Sequence, residues 1–441
     1  MNIFRVFYDE LYYPLSLGKN YPINPFKVFR KLLKSQYWSI EDIQHYQNNR
    51  IDEILKYAKQ NIPYYKQIID DKSQYSIDDL RKIPELTKES LKKYPDKLYR
   101  ECSEKEYRHV TSGSTGDPLT VIADGVSEAQ RLAQRLRFYN WWGIKPSDKN
   151  VLIWGETEEV SKKDMGMITK LKKKIFRNSY FINVFHLNKQ SIIDYYNDLL
   201  RFKPSFIRGY KSAIYQFAQL VDQQGLDISK FKLKAVITTS EILFPEERKY
   251  IEDIFKARVA DEYGAAEIGL FAYECPNGRQ HICEELNYIY TNEQNEIIVT
   301  DLHNKTMPII NYKIGDRIQI DDKLCSCGRT SRIIKSIEGR LHSDIKKENG
   351  EIISQYLFYY AVKDLDNMGI SNSILKYKVI QNEMHFDFYI TKGQNFSERA
   401  TNYLEDRMKR DIGSNLTVDF HFVDEIPLDK SGKLQFFKRI N

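Results

Sequence analysis

No stretch of the 441-residue chain comes near the roughly 18 consecutive apolar residues that a membrane-spanning helix needs, which excludes an integral helical membrane protein. The opening segment, MNIFRVFYDELYYPLSLGK, sets Asp9 and Glu10 inside its apolar stretch and so lacks a signal-peptide core. Charge of one sign is also lacking. The net charge of +6 is spread over 67 basic and 61 acidic side chains, which leaves no electrostatic case for nucleic-acid binding. The local exception is 170–177 (KLKKKIFR), read as a solvated basic turn or a docking site for a phosphorylated ligand or acidic surface. Cysteine is scarce: there are 5, and all but one fall between Cys275 and Cys327. In a long chain without an export signal, that clustering favours reduced thiols and a metal over disulfides, and the cytoplasm is the expected compartment. Repeats and low-complexity tracts are absent.

With 41% hydrophobic residues, the chain is long and apolar enough to bury a large core and to divide into domains. Residues 1–100 read as helical, with Pro63 and Pro84 breaking the periodic stretches. Beyond them, short apolar runs at 119–123, 151–154, 181–185, 205–208, 233–238 and 258–261 alternate with amphipathic helices at 127–142, 189–202, 212–224 and 245–255. Such alternation implies an α/β fold with a largely parallel sheet and crossover helices. After Arg340 the character changes. A helix at 355–363, a hairpin of 375–381 with 384–391, a helix at 397–412 and a strand at 417–423 make a compact α+β unit. The expected division is 1–100, 101–340 and 341–441.

The strongest chemical signal is the loop 111–118, TSGSTGDP. Its glycines let the backbone approach an anion, while hydroxyls and exposed N–H groups supply donors; a Ser/Gly-rich surface turn has the same composition. A Walker-type phosphate loop is excluded, because that motif needs Gly-Lys-Ser/Thr opening a helix and this loop contains no lysine. Two further groups, Cys275-x5-His281-x-Cys283 and Cys325-x-Cys327, offer soft and borderline donors. Pro276, Asn277 and Gly278 suit a metal knuckle, and tetrahedral zinc needs four donors. Unpaired buried thiols, or a disulfide in an exported chain, are the other readings. No basic recognition helix follows either group, which argues against a nucleic-acid zinc finger.

The loop TSGSTGDP resembles the Ser/Thr/Gly-rich signature of the acyl-adenylate-forming superfamily, which includes acyl-CoA synthetases, peptide-synthetase adenylation domains and luciferases. Thr239-Ser-Glu241, Asp261-Glu-Tyr-Gly-Ala-Ala-Glu267, Tyr312-Lys-Ile-Gly-Asp316, Glu338-Gly-Arg340 and Ser431-Gly-Lys433 follow in the superfamily's order. Within it, the chain looks most like the phenylacetate–CoA ligase branch and its capsular-polysaccharide-biosynthesis relatives. The helical N-terminal region and the pairing of Cys275 and His281 with Cys325-Ser-Cys327-Gly-Arg329 carry that likeness.

The resemblance implies a large N-terminal α/β region, a mobile C-terminal lid, and conversion of a carboxylic acid and ATP to acyl-AMP and pyrophosphate. Thr111, Ser112, Gly113, Ser114, Thr115 and Gly116 would form the loop around the departing phosphates. Ser240, Glu241, Asp261 and Glu262 would belong to the nucleotide site, with Tyr263 and Gly264 against the adenine and acyl pocket. Glu267 would hold Mg²⁺, Asp316 the ribose hydroxyls, and Arg340 would place a cationic fork near ribose and phosphate. Lys433 would lie over the α-phosphate and the substrate carboxylate. Coenzyme A is the default acceptor, a sugar or amine of a surface-glycan precursor the alternative, and a non-catalytic nucleotide-binding scaffold the rival of another class. Structural Zn²⁺ would be held by Cys275, His281, Cys325 and Cys327, leaving Cys283 spare; a four-cysteine set is the rival. Two positions depart from the pattern: His342 occupies the usual hinge place of Asp or Lys, and Ala266 stands where many relatives carry a hydroxyl.

Overall fold

The computed structural model describes residues 3–101, 105–110, 119–155, 178–321, 323–340, 345–353, 355–370, 373–429 and 434–440. The chain divides into two compact units, Met1–Ile314 with Ile318–Ile337, and Gly315–Arg317 with Glu338–Asn441.

In the first unit the helical stretch forms for local reasons. Asn24 accepts hydrogen bonds from the Phe26 amide (2.8 Å) and the Lys27 amide (3.4 Å) at the start of α1 (Pro25–Ser35). Ser39 and Asp42 make a reciprocal capping box on α2 (Ile40–Asn61), which ends where Pro63 follows. Ile43, Gln47, Ile51, Ile54, Leu55 and Ala58 line the buried face of α2. That face packs on Ile289, Ile297, Val299, Ile310 and Tyr312.

Strands β1 (Glu106–Val110) and β2 (Thr120–Asp124) form a separate antiparallel ladder. The strand expected at 119–123 therefore exists but does not join the main sheet. Asp124 then caps α3 (Gly125–Trp141) by accepting from the Ser127 amide at 2.7 Å. Among the described residues the main sheet has eleven strands. Its parallel part contains β3 (Asn150–Trp154), β4 (Ser179–Asn183), β5 (Phe206–Tyr210), β6 (Ala235–Thr239) and β7 (Val259–Ala265), in the order β4-β3-β5-β6-β7. Helices α4 (Ser191–Phe202), α5 (Lys211–Gln223) and α6 (Pro245–Phe255) make the crossovers. All of β6 is buried, as a strand covered on both faces must be.

From β7 onward the sheet is not the parallel one that the alternation predicts. It continues through β8 (Gly269–Glu274), β9 (Gln280–Ile282), β10 (Asn287–Thr291), β11 (Glu296–Asp301), β12 (Tyr312–Asp321) and β13 (Ile333–Arg340), in the order β10-β11-β12-β13-β9-β8-β7. The β7–β8, β8–β9, β9–β13 and β10–β11 pairs are antiparallel. The β7–β8, β8–β9 and β10–β11 hairpin links are too short for a crossover helix, and two turn through left-handed residues, Gly278 (φ +71°) and Asn295 (φ +60°).

The second unit has a small ladder of β14 (Ile345–Lys346) and β15 (Ile352–Ile353), helices α7 (Tyr356–Asn367) and α8 (Glu398–Asp411), and a four-stranded sheet. That sheet runs β18 (Thr417–Phe422), β17 (His385–Lys392), β16 (Ile374–Asn382), β19 (Phe437–Arg439). Only the β16–β17 hairpin is antiparallel among its pairings. Phe358 of α7, Leu404 and Met408 of α8, and Phe386, Phe388, Ile390 and Phe437 fill its core.

A buried ion pair joins three pieces of the first unit. Arg137 of α3 donates to both carboxylate oxygens of Glu285 (2.6 and 3.2 Å), and Ser35 of α1 donates to Oε1 at 2.6 Å. Burial acts to raise the Glu285 carboxyl, but Arg137 and Ser35 hold it below the usual glutamate range. Arg137→Ala or Glu285→Ala should each cost about 3–5 kcal/mol by leaving a buried charge unpaired. Arg137→Met with Glu285→Leu should recover most of that loss in urea unfolding followed by tryptophan fluorescence. Independent, additive losses would show that the pair does not act as a unit.

Candidate functional site

Ligand sites of open parallel sheets form at the carboxyl ends of the strands. Here β6 is followed directly by Ser240, a non-glycine residue in the left-handed region (φ +69°). Glu241 then turns toward the first turn of α5, where its carboxylate accepts from the Ser212 amide (2.6 Å) and hydroxyl (2.9 Å). An anion there is stabilised by the free N–H groups of the helix start.

The neighbouring strand β7 carries Asp261, Glu262, Tyr263 and Gly264, in register Thr238↔Asp261 and Thr239↔Glu262. The two carboxylates differ in surroundings. Glu262 is buried against Arg208 of β5, whose Nε and Nη2 both donate to its Oε2 (2.9 and 2.7 Å). The Arg208 guanidinium also lies 5.5 Å from the Trp154 ring centroid, and the Trp154 and Tyr210 rings meet at a tilt, 3.9 Å between centroids. Asp261 accepts from the Thr238 hydroxyl at 2.6 Å, and its amide donates to Glu274, which Arg248 of α6 also holds. Burial pushes the Asp261 carboxyl up to about 8. The Thr238 hydrogen bond opposes the rise and the Glu274 charge adds to it, so the group is protonated at neutral pH.

Tyr263 meets Phe271 edge-on at 5.0 Å, and the register shifts between Tyr263 and Gly264. Glu267 is buried in the β7–β8 turn, next to the exposed Ala266. Asp316 is half-buried on β12, within the piece 315–317 that clusters with the second unit. The predicted loop residues Thr111, Ser112, Gly113, Ser114, Thr115 and Gly116 lie outside the described residues, as do the run 170–177, His342 and Lys433. Arg340 ends β13, and its side chain is likewise outside the description.

The structure brings four predicted metal donors together across a large sequence separation. One ligand atom each from Cys275, His281, Cys325 and Cys327 lie within 4.8 Å of one another. The Cys275 and Cys325 sulfurs are 3.8 Å apart, and Cys327 Sγ is 3.3 Å from His281 Nε2. With Zn–S bonds of about 2.3 Å, tetrahedral geometry sets neighbouring sulfurs about 3.8 Å apart, so the donor set fits a zinc ion. Such a separation is far too long for a disulfide. His281 Nδ1 lies 3.0 Å from the Ser331 hydroxyl, an outer contact that directs Nε2 inward. Burial, with Arg329 nearby, pushes His281 down to about 4, so its ring is neutral at ordinary pH. Cys283 is not in the group; it is buried beside Arg137 in the core under α3.

The loop that carries Cys325 and Cys327 is tied to the N-terminal helices. Gln36 Oε1 accepts from Trp141 Nε1 (2.8 Å) and Arg329 Nε (3.1 Å), and the Thr330 hydroxyl donates to the Trp38 carbonyl. Trp142 Nε1 donates to the Glu274 carbonyl at 2.9 Å, so the paired tryptophans anchor α3 to the sheet. Sequence reasoning passed over Trp154, Arg208 and Tyr210. Their one signal was position, at the ends of parallel strands. His109 pairs with Glu128 at 2.8 Å, and Glu128 also accepts from Arg131.

Residues 345–440 match the family model described as the CapK C-terminal domain. Protein CapK of Staphylococcus aureus is 25% identical over 417 residues, covering 90% of this chain and 89% of the relative. A phenylacetate–coenzyme A ligase of Escherichia coli (strain K12) is 26% identical over 336 residues, covering 68% of this chain and 72% of the relative. Among solved structures, a 2-hydroxyisobutyryl-CoA ligase in the postadenylation state, in complex with R3-HIB-AMP, superposes with a TM-score of 0.71 at 17% identity. It covers 92% of this chain and 90% of that one. The chain is homologous to CapK and to phenylacetate–CoA ligases, and its fold, a large mixed sheet with a smaller C-terminal domain, is that of adenylate-forming CoA ligases. No helix among the described residues is long and apolar enough to cross a membrane.

The raised Asp261 carboxyl has a pH signature. Between the ordinary aspartate value and about 8 the folded state keeps a proton that the unfolded chain has lost. Stability therefore falls as pH rises through that window, by at most about 1.4 kcal/mol per unit. Asp261→Asn should flatten the slope and gain relative to the parent most at about pH 8, as read by urea unfolding across the window. Parallel profiles for the two proteins would refute the assignment.

Proposed function

From this homology to ligases that join acids to coenzyme A, we propose that the chain is an ATP-dependent, adenylate-forming ligase. It converts a carboxylic acid and ATP to acyl-AMP and pyrophosphate, then passes the acyl group to coenzyme A. The observation that carries the reading is a ligase fold spanning nearly the whole chain, combined with the ordered motifs of that class. Residues 101–340 serve as the nucleotide-binding domain, braced by the helical segment 1–100. Residues 341–441 serve as a mobile lid that turns about His342 and delivers Lys433.

In this reading Thr111, Ser112, Gly113, Ser114, Thr115 and Gly116 cradle the β- and γ-phosphates, and Arg340 and Lys433 offset charge developing at the α-phosphate. Bound Mg²⁺ supplies positive charge between the phosphates, with Glu267 as its protein ligand. Asp316 binds the ribose, while Ser240, Tyr263 and Gly264 line the adenine and acyl side. Asp261 keeps its proton and so can donate a hydrogen bond. Glu241 and Glu262, already engaged by Ser212 and Arg208, serve the nucleotide site by holding its walls. The cytoplasm, where ATP and coenzyme A are available, is the compartment that suits the reaction.

The match of 345–440 to the CapK C-terminal domain favours a second reading of the acceptor, a sugar or amine of a surface-glycan precursor. Pyrophosphate release from Mg·ATP across a panel of carboxylic acids, with and without coenzyme A, tests the proposal. Acid-dependent release that coenzyme A accelerates is the expected result. Release unaffected by coenzyme A would move the assignment to the glycan acceptor, and nucleotide binding without release would make the chain a scaffold. Lys433→Ala should lower release about a hundredfold or more while leaving the thermal midpoint unchanged; normal turnover would remove Lys433 from the site.

A structural zinc ion on Cys275, His281, Cys325 and Cys327 is part of the same proposal. All four positions are filled by protein, so the ion braces the link between β8, β9 and the loop before β13 and leaves no open catalytic position. Elemental analysis should find about one equivalent of zinc that Cys325→Ser removes, with a lowered thermal midpoint. A metal-free parent of unchanged stability would contradict it.

A further inference from the structure

The second unit carries another set of donors, built by strand alternation. The segments His385-Phe-Asp387 on β17 and Asp419-Phe-His421 on β18 mirror one another. Successive side chains of a strand point to opposite faces. Phe386 is fully buried in the core and Phe420 packs against it, which leaves both histidines and both aspartates on the outer face. Parallel pairing places Asp387 opposite Asp419 and His385 opposite Thr417.

Two carboxylates directly across a strand pair repel each other. Among the described residues, the ion pairs of Asp387 and Asp419 are all with histidine, and neither carboxylate has a lysine or arginine partner. Their negative charge converges on His385 Nε2, which lies 3.7 Å from Asp387 Oδ1 and 3.6 Å from Asp419 Oδ2. The three ligand atoms lie within 4.8 Å of one another. Neighbouring ligands of a tetrahedral ion with bonds of about 2.0–2.1 Å stand about 3.3 Å apart, so both distances from His385 to the carboxylates are within a few tenths of an ångström of that spacing.

The outer contacts are in place as well. His385 Nδ1 is 2.8 Å from the Thr417 hydroxyl, which turns Nε2 toward the carboxylates. His421 Nε2 is 2.7 Å from Asp387 Oδ1, a hydrogen-bond distance too short for two ligands of one ion, so His421 orients Asp387 and does not itself coordinate. Tyr389 stacks on the His421 ring at 4.7 Å and fixes its plane.

We propose that His385, Asp387 and Asp419 form a second metal site, for a borderline divalent ion such as Zn²⁺ or Co²⁺. One imidazole with two carboxylates suits such ions, whereas Mg²⁺ and Ca²⁺ prefer all-oxygen surroundings. Three protein ligands leave a position for water or an anionic group, so the site is open and exchangeable, unlike the closed cysteine cluster. It ties the edge strand β18 to β17.

The full-length protein, loaded with one equivalent of zinc, is titrated with Co²⁺ by calorimetry and absorption. One further equivalent should bind, with d–d bands and no thiolate charge-transfer band. His385→Ala with Asp419→Asn should abolish that equivalent, and His421→Gln should weaken it about tenfold. Excess Mg²⁺ should not compete. No added equivalent in the parent protein, thiolate bands on the added cobalt, or full binding in the double variant would each overturn the proposal. Since all these side chains lie on an outer sheet face, the double variant keeps the core intact, and the parent stoichiometry is decisive without it.

Discussion

At the corner where β8 folds back on β7, the two backbones approach so closely that a methyl group on Gly264 would stand 2.4 Å from the Gly269 carbonyl oxygen and 2.6 Å from Leu270 Cα. Backbone atoms on both sides cannot yield, so only glycine permits this turn. Here the sheet changes from parallel to antiparallel. On β7 and after β6 lie Asp261, Glu262 and Ser240; Cys275 directly follows β8 and His281 lies on β9. The corner therefore fixes the placement of both candidate sites in the first unit, and Glu267 sits in the turn itself.

Three buried or half-buried ion pairs then hold layers in register around that corner. Arg137–Glu285 joins α3 to the loop before β10, Arg208–Glu262 joins β5 to β7, and Arg248–Glu274 joins α6 to β8. Desolvation offsets most of the Coulombic gain of such pairs, so their effect lies less in net stability than in the penalty for any arrangement that parts them. The same economy explains Asp261. Placed among Glu274 and Glu262 with one hydroxyl partner, it keeps its proton in preference to becoming a third buried anion.

The two metal-donor sets found among the described residues represent opposite designs. The cysteine cluster lies beneath Trp141 and Gln36, with its loop tied to the N-terminal helices, and offers four soft or borderline donors. The His385 set lies open on a sheet face and offers three harder ones. Ligand softness and exposure together separate a permanent brace from an exchangeable site.

Much of the architecture was legible in the sequence because it is written locally. The helical character of 1–100, the crossover helices, the apolar cores of β3, β5, β6 and β7, and the hairpin, helices and strand after Arg340 all follow from periodicity and punctuation within a few residues. The motif order likewise pointed to a ligase before any coordinates, since it is a property of the linear chain. The antiparallel strands from β8 to β13 were not legible. Buried polar residues such as Glu274, Glu296 and Asp301 interrupt their apolar alternation, and each takes a charged partner far away in sequence, Arg248, Lys313 and Arg131 respectively. Nor could the chain order alone show that Cys283 stands apart while Cys275 and Cys325 meet, that Glu262 is claimed by Arg208, or that His385 faces Asp419. Those facts depend on which strands become neighbours and in what register, and strand pairing is a long-range choice that no local run of residues encodes.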